Sequence, residues 1–155
     1  MQSEQSAIRL IGRREYVGFP DLGISRLEAK IDTGAYTCSM HCDEISMLIG
    51  LKKPTLYFTI SEGVDKPKKE FRFTEFSTKK IKNSFGEMEE RYIIRTVLKI
   101  GGKKIRATIS LTNRDNMRYP ILVGRKPLKG KFLIDVNRLH TGGPIAKTAL
   151  KKTLE

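Results

Sequence analysis

The chain has no tryptophan and only two cysteines and two histidines. Two cysteines build no disulfide framework. If Cys38 and Cys42 share a strand, their Cα atoms stand roughly 13 Å apart, beyond disulfide reach, whereas a helix would bring them closer. Reduced thiols point to a cytoplasmic setting. No apolar run approaches the roughly 20 residues that cross a bilayer, so a helical anchor and a membrane partner are not expected. The opening Met1-Gln2-Ser3-Glu4-Gln5-Ser6 lacks the charged and apolar blocks of a signal peptide. A secreted or periplasmic form with its signal removed stays open.

Acidic residues are also scarce. Seventeen Asp and Glu face thirty Lys and Arg, for a net charge of +13. This excess favours anionic partners: nucleic acid, an acidic membrane surface or an acidic peptide. Solubility alone is the plainer explanation. The cations are spread out, with the densest runs at Lys66-Pro67-Lys68-Lys69 and Lys79-Lys80-Ile81-Lys82, and Lys151-Lys152 in the tail. Aromatics make up 8% of the chain. No base-stacking platform is evident, and nucleic acid is not the favoured partner.

What is present reads as one domain of short strands. A chain of 155 residues with 39% hydrophobic residues is long enough to bury a core. The expected divisions are a tail over 1–7, a domain over 8–138 and a C-terminal extension over 139–155, in which Ile145–Leu150 has the pattern of a short helix. Gly18-Phe19-Pro20-Asp21-Leu22-Gly23 is a turn composition. Ile24–Ile31 then alternates, with Leu27, Ala29 and Ile31 on one face. Thr55–Ile60 and Lys69–Phe76 are β-rich. Tyr92, Ile94, Thr96, Leu98 and Ile100 form one face of a strand that turns at Gly101-Gly102. Ile105, Ala107, Ile109 and Leu111 form the face of its return. Ile121-Leu122-Val123-Gly124 suits a strand buried on both faces, and Lys131–Val136 a final strand. Asp43 is placed to cap a short helix through Leu48, and Asn113 a turn through Met117.

One segment carries chemistry. Ile31-Asp32-Thr33-Gly34-Ala35 sets a carboxylate at the end of the alternating strand, just before a Thr-Gly pair. Hydrolysis by two close carboxylates needs one ionised, to take a proton from water, and one protonated, to donate to the substrate carbonyl. A short, rigidly held Asp suits that task. A following Thr can lock the loop through its hydroxyl, and a following Gly admits backbone and substrate. Asp-Thr-Gly is also an ordinary turn composition.

Ala29-Lys30-Ile31-Asp32-Thr33-Gly34-Ala35 resembles the active-site segment of retropepsin-like aspartic peptidases. Ile121-Leu122-Val123-Gly124-Arg125 resembles their second signature, a strand end that passes beside the catalytic loop. Ile11–Val17, Arg114–Pro120 and Phe132–Val136 are similar to the bacterial family long labelled ATP-dependent zinc proteases. That family is associated with a glutamate ligase that modifies ribosomal protein tails. The resemblance runs from about residue 8 to about residue 138. It implies a mostly β, acid-protease-like (retropepsin-like) closed barrel with short helices. It implies aspartic-type peptide hydrolysis, with Asp32 as the catalytic carboxylate and Thr33, Gly34, Ala35, Gly124 and Arg125 supporting it. One motif per chain predicts a two-fold homodimer; a within-chain partner is the alternative, with Asp115 and Asp135 the acids nearest family-like motifs, neither followed by Thr-Gly. The net charge and the ligase association together suggest an acidic peptide or protein substrate.

The sequence departs from the pattern after Gly34. Tyr36 stands where the retroviral enzymes carry an acid that pairs with the signature Arg, which leaves Arg125 without an assigned partner. The flap is best placed at Ile81–Met88. The family's old label is not supported by motifs. Gly124 to Lys131 has one residue too many for a P-loop, and neither histidine sits in a His-Glu-x-x-His context. No cofactor is expected. Cys38, His41, Cys42 and Asp43 are all potential zinc ligands. On a helix the first three share a face, whereas on a strand His41 turns away. No second cluster completes such a site, so the expectation is no metal, with Cys38, His41 and Cys42 the one alternative set. His140 reads as a surface or turn residue. Two other functions stay open: a catalytically silent peptide-binding or regulatory module of the same fold, and a basic domain that binds nucleic acid or ribosomes.

Overall fold

The computed structural model describes residues 7–50, 52–62, 65–82, 85–113 and 118–141. The described chain is almost entirely β. Its strands are β1 (Arg9–Phe19), β2 (Ile24–Ile31), β3 (Cys38–His41), β4 (Glu44–Leu48), β5 (Thr55–Ser61), β6 (Lys68–Phe73), β7 (Ser77–Lys82), β8 (Met88–Ile100), β9 (Lys103–Thr112), β10 (Ile121–Val123) and β11 (Phe132–Leu139). Among the described residues the only helix is a single 3-10 turn, Pro20–Leu22.

Eight strands form a mixed sheet in the order β11-β1-β2-β10-β3-β9-β8-β7, and β4-β5-β6 form a second sheet. β1 also pairs with β8 at Gly18↔Lys99, so β1, β2, β10, β3, β9 and β8 form a ring. That closing seam is one residue pair long. The expected barrel is therefore better described as a mixed sheet bent into a ring. Both sheets bury side chains in one core. Leu56, Phe58 and Ile60 from the smaller sheet join Ile94, Leu98, Ile109 and Ile121 from the larger.

The period-two patterns carry directly into burial. Leu27, Ala29 and Ile31 face inward on β2, and Ile105, Ala107, Ile109 and Leu111 on β9. The β8–β9 hairpin turns at Gly101 (φ 56°) and Gly102 (φ 78°), with Ile100 paired to Lys103. A two-residue turn with both φ values positive matches strand twist and strongly favours glycine. A methyl on Gly101 would also lie 2.6 Å from the Phe132 ring. On the smaller sheet, Phe71 and Phe73 lie 5.3 and 5.6 Å from the Phe58 ring, between centroids.

Two expectations need correction. The helix capped by Asp43 is instead β4, which pairs antiparallel with β5 from Glu44↔Thr59 to Leu48↔Thr55. The Asp43 N–H donates to the Thr59 carbonyl (2.9 Å), so sheet pairing takes the group that a cap would have organised. β10 is also less enclosed than expected: Ile121 and Val123 are buried, but Leu122 is only half-buried. The expected turn through Met117 and helix over Ile145–Leu150 fall on residues 114–117 and 142–155, outside the described residues.

Phe58 is fully buried and holds both aromatic contacts of the smaller sheet. Phe58→Ala should destabilise the protein by about 3–5 kcal/mol in equilibrium denaturation. A loss under about 1 kcal/mol would mean that β4-β5-β6 is not packed on the common core.

Candidate active site at the Asp32 loop

The site is built where β10 slides between β2 and β3. β10 runs parallel to β2, with Ile121↔Ala29 and Val123↔Ile31, and antiparallel to β3, with Ile121↔Met40. The loop joining β2 to β3 therefore wraps around the end of β10, and Asp32 is its first residue.

Backbone bonds fix this loop at both legs. The Asp32 N–H donates to the Val123 carbonyl (2.8 Å), and the Ala35 N–H to the Asp32 carbonyl (3.1 Å). On the outgoing leg, the Arg125 and Lys126 N–H groups donate to the Ala35 and Tyr36 carbonyls, each at 2.9 Å. Gly124 makes the approach possible. A methyl there would lie 2.7 Å from the Tyr36 carbonyl carbon and 2.8 Å from that of Thr37. Neither contact has a flexible side chain that can give way.

The Asp32 carboxylate is half-buried, and its Oδ1 accepts from the Gly34 N–H (3.2 Å). Among the described residues it forms no other hydrogen bond and no ion pair. Thr33 and Gly34 are exposed. The loop's crest is thus open while its ends are pinned.

Arg125 has a definite partner. Its Nη1 donates to the Thr33 and Gly34 carbonyls at 3.2 and 3.3 Å, and its guanidinium lies 5.4 Å from the Tyr36 ring centroid. A cation over a ring, with two carbonyls as acceptors, replaces the acid–Arg pair of the retroviral pattern. The role expected of Thr33 changes too. Its carbonyl takes the Arg125 bond, while its hydroxyl has no partner among the described residues.

The alternative metal set is taken apart by strand alternation. Cys38 and Cys42 are fully buried, whereas His41 faces the other way, 3.4 Å from Asp43. Among the described residues no group of three or more His, Cys, Asp or Glu is arranged to hold a metal. Burial pushes the Cys38 thiol up to about 11, against a smaller opposing effect of a backbone hydrogen bond from Gly124. Burial pushes the Cys42 thiol up to about 12, with the Asp43 charge adding to it.

A recess of about 750 Å³ lies away from Asp32. It is lined by Ser25–Glu28, His41 and Pro120 among others, toward the opposite ends of β2, β3 and β10. Its Glu28 is paired with His140 (2.7 Å) and its Glu62 with Lys69 (3.6 Å). The acids of this recess are thus paired within the chain, unlike Asp32 at the exposed loop. The stretch expected to form the flap, Ile81–Met88, links β7 to β8, with Phe85 and Met88 exposed.

Two residues, one on β1 and one just after β11, make contacts that the sequence did not indicate. Glu15 is 2% exposed, and its Oε2 accepts from the Gly12 N–H (2.6 Å), the Thr141 N–H (3.0 Å) and the Thr141 hydroxyl (3.2 Å). A lone acid inside the apolar alternation of β1 was the available signal. His140 is a turn residue as expected, with φ 52°. It also stacks on Tyr16 at 4.1 Å and bonds Glu28, a contact between distant segments that spacing does not encode.

A strand end packed by glycine against an Asp-Thr-Gly loop defines the retropepsin-like class. The family model described as retropepsin-like aspartic endopeptidase RimB, RimB-like, matches residues 10–142, and the chain belongs to this family. It is 34% identical over 128 residues to a Shewanella halifaxensis protein named "Probable alpha-L-glutamate ligase", covering 81% of this chain and 28% of that protein. It is 31% identical over 157 residues to a Desulfotalea psychrophila protein of the same name, covering 97% of this chain and 33% of that protein. The chain thus spans about a third or less of the length of these relatives. A Legionella pneumophila protein of unknown function has a similar crystal structure, with TM-score 0.71 and 26% identity, covering 88% of this chain and all of that one.

Two outcomes follow for this region. Gly124→Val should cost more than about 2 kcal/mol, because backbone must move, while Arg125→Ala should cost about 1 kcal/mol or less, because its bonds are exposed. Denaturation of both variants checks the order, and a reversed order would refute the packing role of Gly124. The two thiols should resist alkylation at pH 8 until denaturant is added. In the fold they keep their protons up to about 11 and 12, whereas a free thiol ionises near 9.0. The unfolded state binds fewer protons in that window, so stability should fall as pH rises from 9 toward 12.

Proposed function

We propose that this chain is one half of an aspartic-type peptide hydrolase, with Asp32 as its catalytic carboxylate. The observation that carries the reading is the Asp32 loop itself. Its backbone is pinned to β10 and Arg125, while its carboxylate accepts one hydrogen bond and lies at an open crest. Such a group is rigidly presented yet has no ion-pair partner among the described residues.

The second carboxylate comes from Asp32 of a second copy across a two-fold axis. Two such groups close together cannot both ionise. The ionised one takes a proton from water, and the protonated one donates to the carbonyl oxygen as the tetrahedral centre forms. Thr33 and Gly34 form the crest beside the reacting atoms. Ala35, Gly124 and Arg125 are positioning residues that hold it.

The substrate class is an acidic peptide. The support is the net charge of +13 and the naming of similar proteins as glutamate ligases, enzymes whose name implies glutamate-bearing products. A cationic surface would speed encounter with such chains at low salt.

Asp32→Asn should lower hydrolysis of an oligo-glutamate peptide by roughly four orders of magnitude while leaving the fold intact by circular dichroism. Retained hydrolysis would refute the catalytic role. If instead the parent protein hydrolyses nothing, and Asp32→Asn leaves peptide binding unchanged, the domain is a binding module. Sedimentation should show a dimer at assay concentrations, and a fully active monomer would overturn the shared dyad.

A further inference from the structure

The outward faces of β8 and β9 carry Arg95 and Lys99 on one strand and Lys104 and Arg106 on the other, all exposed. Lys99 stands directly opposite Lys104 in the ladder. Like charges at paired positions are mutually destabilising, and nothing in the packing of this face requires them.

Beside this face lies a recess of about 140 Å³. Arg95, Arg106, Lys126 and Lys131 line it, with Thr37 and Thr108. No carboxylate is among its lining residues. Among the described residues none of the four cations forms an ion pair, although six such pairs exist elsewhere. Four unneutralised cations around one small recess favour an oxyanion there.

The recess is tied to the Asp32 loop. Thr37 abuts Gly124, and the Lys126 N–H holds the Tyr36 carbonyl (2.9 Å). Anything held in the recess is therefore held by the same segment that ends the catalytic loop. The recess has room for a carboxylate-sized group. Same-side residues of an extended peptide stand roughly 6.6–6.8 Å apart, which is the pitch from Lys104 to Arg106 on β9. The outward positions Arg95, Val97, Lys99, Lys104, Arg106 and Thr108 include no aromatic, so bases would find nothing to stack on.

We propose that this recess and the adjoining basic face of β8 and β9 form a docking site for a run of carboxylates in the acidic peptide, away from the reacting bond. The proposal rests on the acidic-substrate reading of the Asp32 site. Carboxylates of an extended acidic segment enter the recess and continue along the Arg106–Lys104 side. The segment to be cleaved then lies toward Asp32. Recognition of charge is thereby separated from the catalytic loop, whose own exposed residues Thr33 and Gly34 carry none.

The test uses full-length Asp32→Asn protein, so that binding is read without turnover, and a fluorescent oligo-glutamate peptide followed by anisotropy. Arg106→Glu and Lys131→Glu should each weaken binding by about tenfold or more, and Arg106→Gln by less. Lys80→Glu, an equal charge change on the exposed β7, should shift it less than about twofold. Equal losses from Lys80→Glu and Arg106→Glu would reduce the effect to net charge and overturn the site. A single-stranded RNA that binds more tightly and is lost with the same substitutions would overturn it in favour of nucleic acid. Specific loss of peptide binding, in a protein whose Asp32 parent hydrolyses nothing, would uphold the docking site and remove the peptidase reading. Hydrolysis by the parent with peptide affinity unchanged in Arg106→Glu would do the reverse.

Discussion

The contact on which the rest of the site depends is the close approach of Gly124 to the backbone of Tyr36 and Thr37. It allows β10 to end between the two legs of the Asp32 loop. Once there, β10 satisfies the Asp32 N–H on one leg, and the following Arg125 and Lys126 satisfy the Ala35 and Tyr36 carbonyls on the other. Any side chain at 124 would push the legs apart and leave those backbone groups without partners. An unmade buried hydrogen bond costs about 1–3 kcal/mol, so the geometry is enforced from several directions at once. The position of one carboxylate is thus set by packing just past the end of the strand beside it.

The polar groups around these strands fall into two chemically distinct sets. Several acids have partners within the chain: Glu28 bonds His140, Asp43 lies 3.4 Å from His41, and Glu15, opposite Ala29 of β2, accepts from the Gly12 and Thr141 N–H groups. These contacts tie β1, β2 and the segment after β11 into a fixed frame. Toward the end of β2, the Asp32 carboxylate meets one backbone N–H, and the cations near it are unpaired or engage carbonyls and a ring. Acids that are hydrogen-bonded within the chain are committed to its own frame. Charges left unsatisfied at an accessible edge are available to something outside it. That contrast, rather than cavity size, sets the Asp32 carboxylate apart from the other acids of these strands.

Strands were legible in the sequence wherever one face is buried and the other wet. β2, β8 and β9 show this most clearly, because alternation and burial are the same pattern seen in two ways. The Gly101-Gly102 turn and the Asp32 loop were legible for the same local reason. β4 was not. Its residues alternate poorly, and the Asp43 cap signal is local, whereas its conformation is decided by pairing with β5. The partner of Arg125 also escaped, because it is two backbone carbonyls, which no residue letter reports. The contacts of Glu15 with Thr141 and of His140 with Glu28 escaped because they join residues more than a hundred apart in sequence.

Arginine at 125 has a physical reason that lysine would not satisfy. One planar guanidinium reaches both the Thr33 and Gly34 carbonyls while lying over Tyr36. A lysine ammonium is a compact, strongly hydrated charge on a flexible stem and holds no fixed plane. The brace acts within one chain, so the crest of the loop is ordered before any second copy arrives. In the proposed dimer, association would then only bring two preformed crests together, rather than order them at the same moment. Loss of side-chain and loop freedom is among the main costs of binding, and here the fold itself has already met it. A site divided between two copies, as proposed, would thereby need no large interface, provided each half is as rigid as this one.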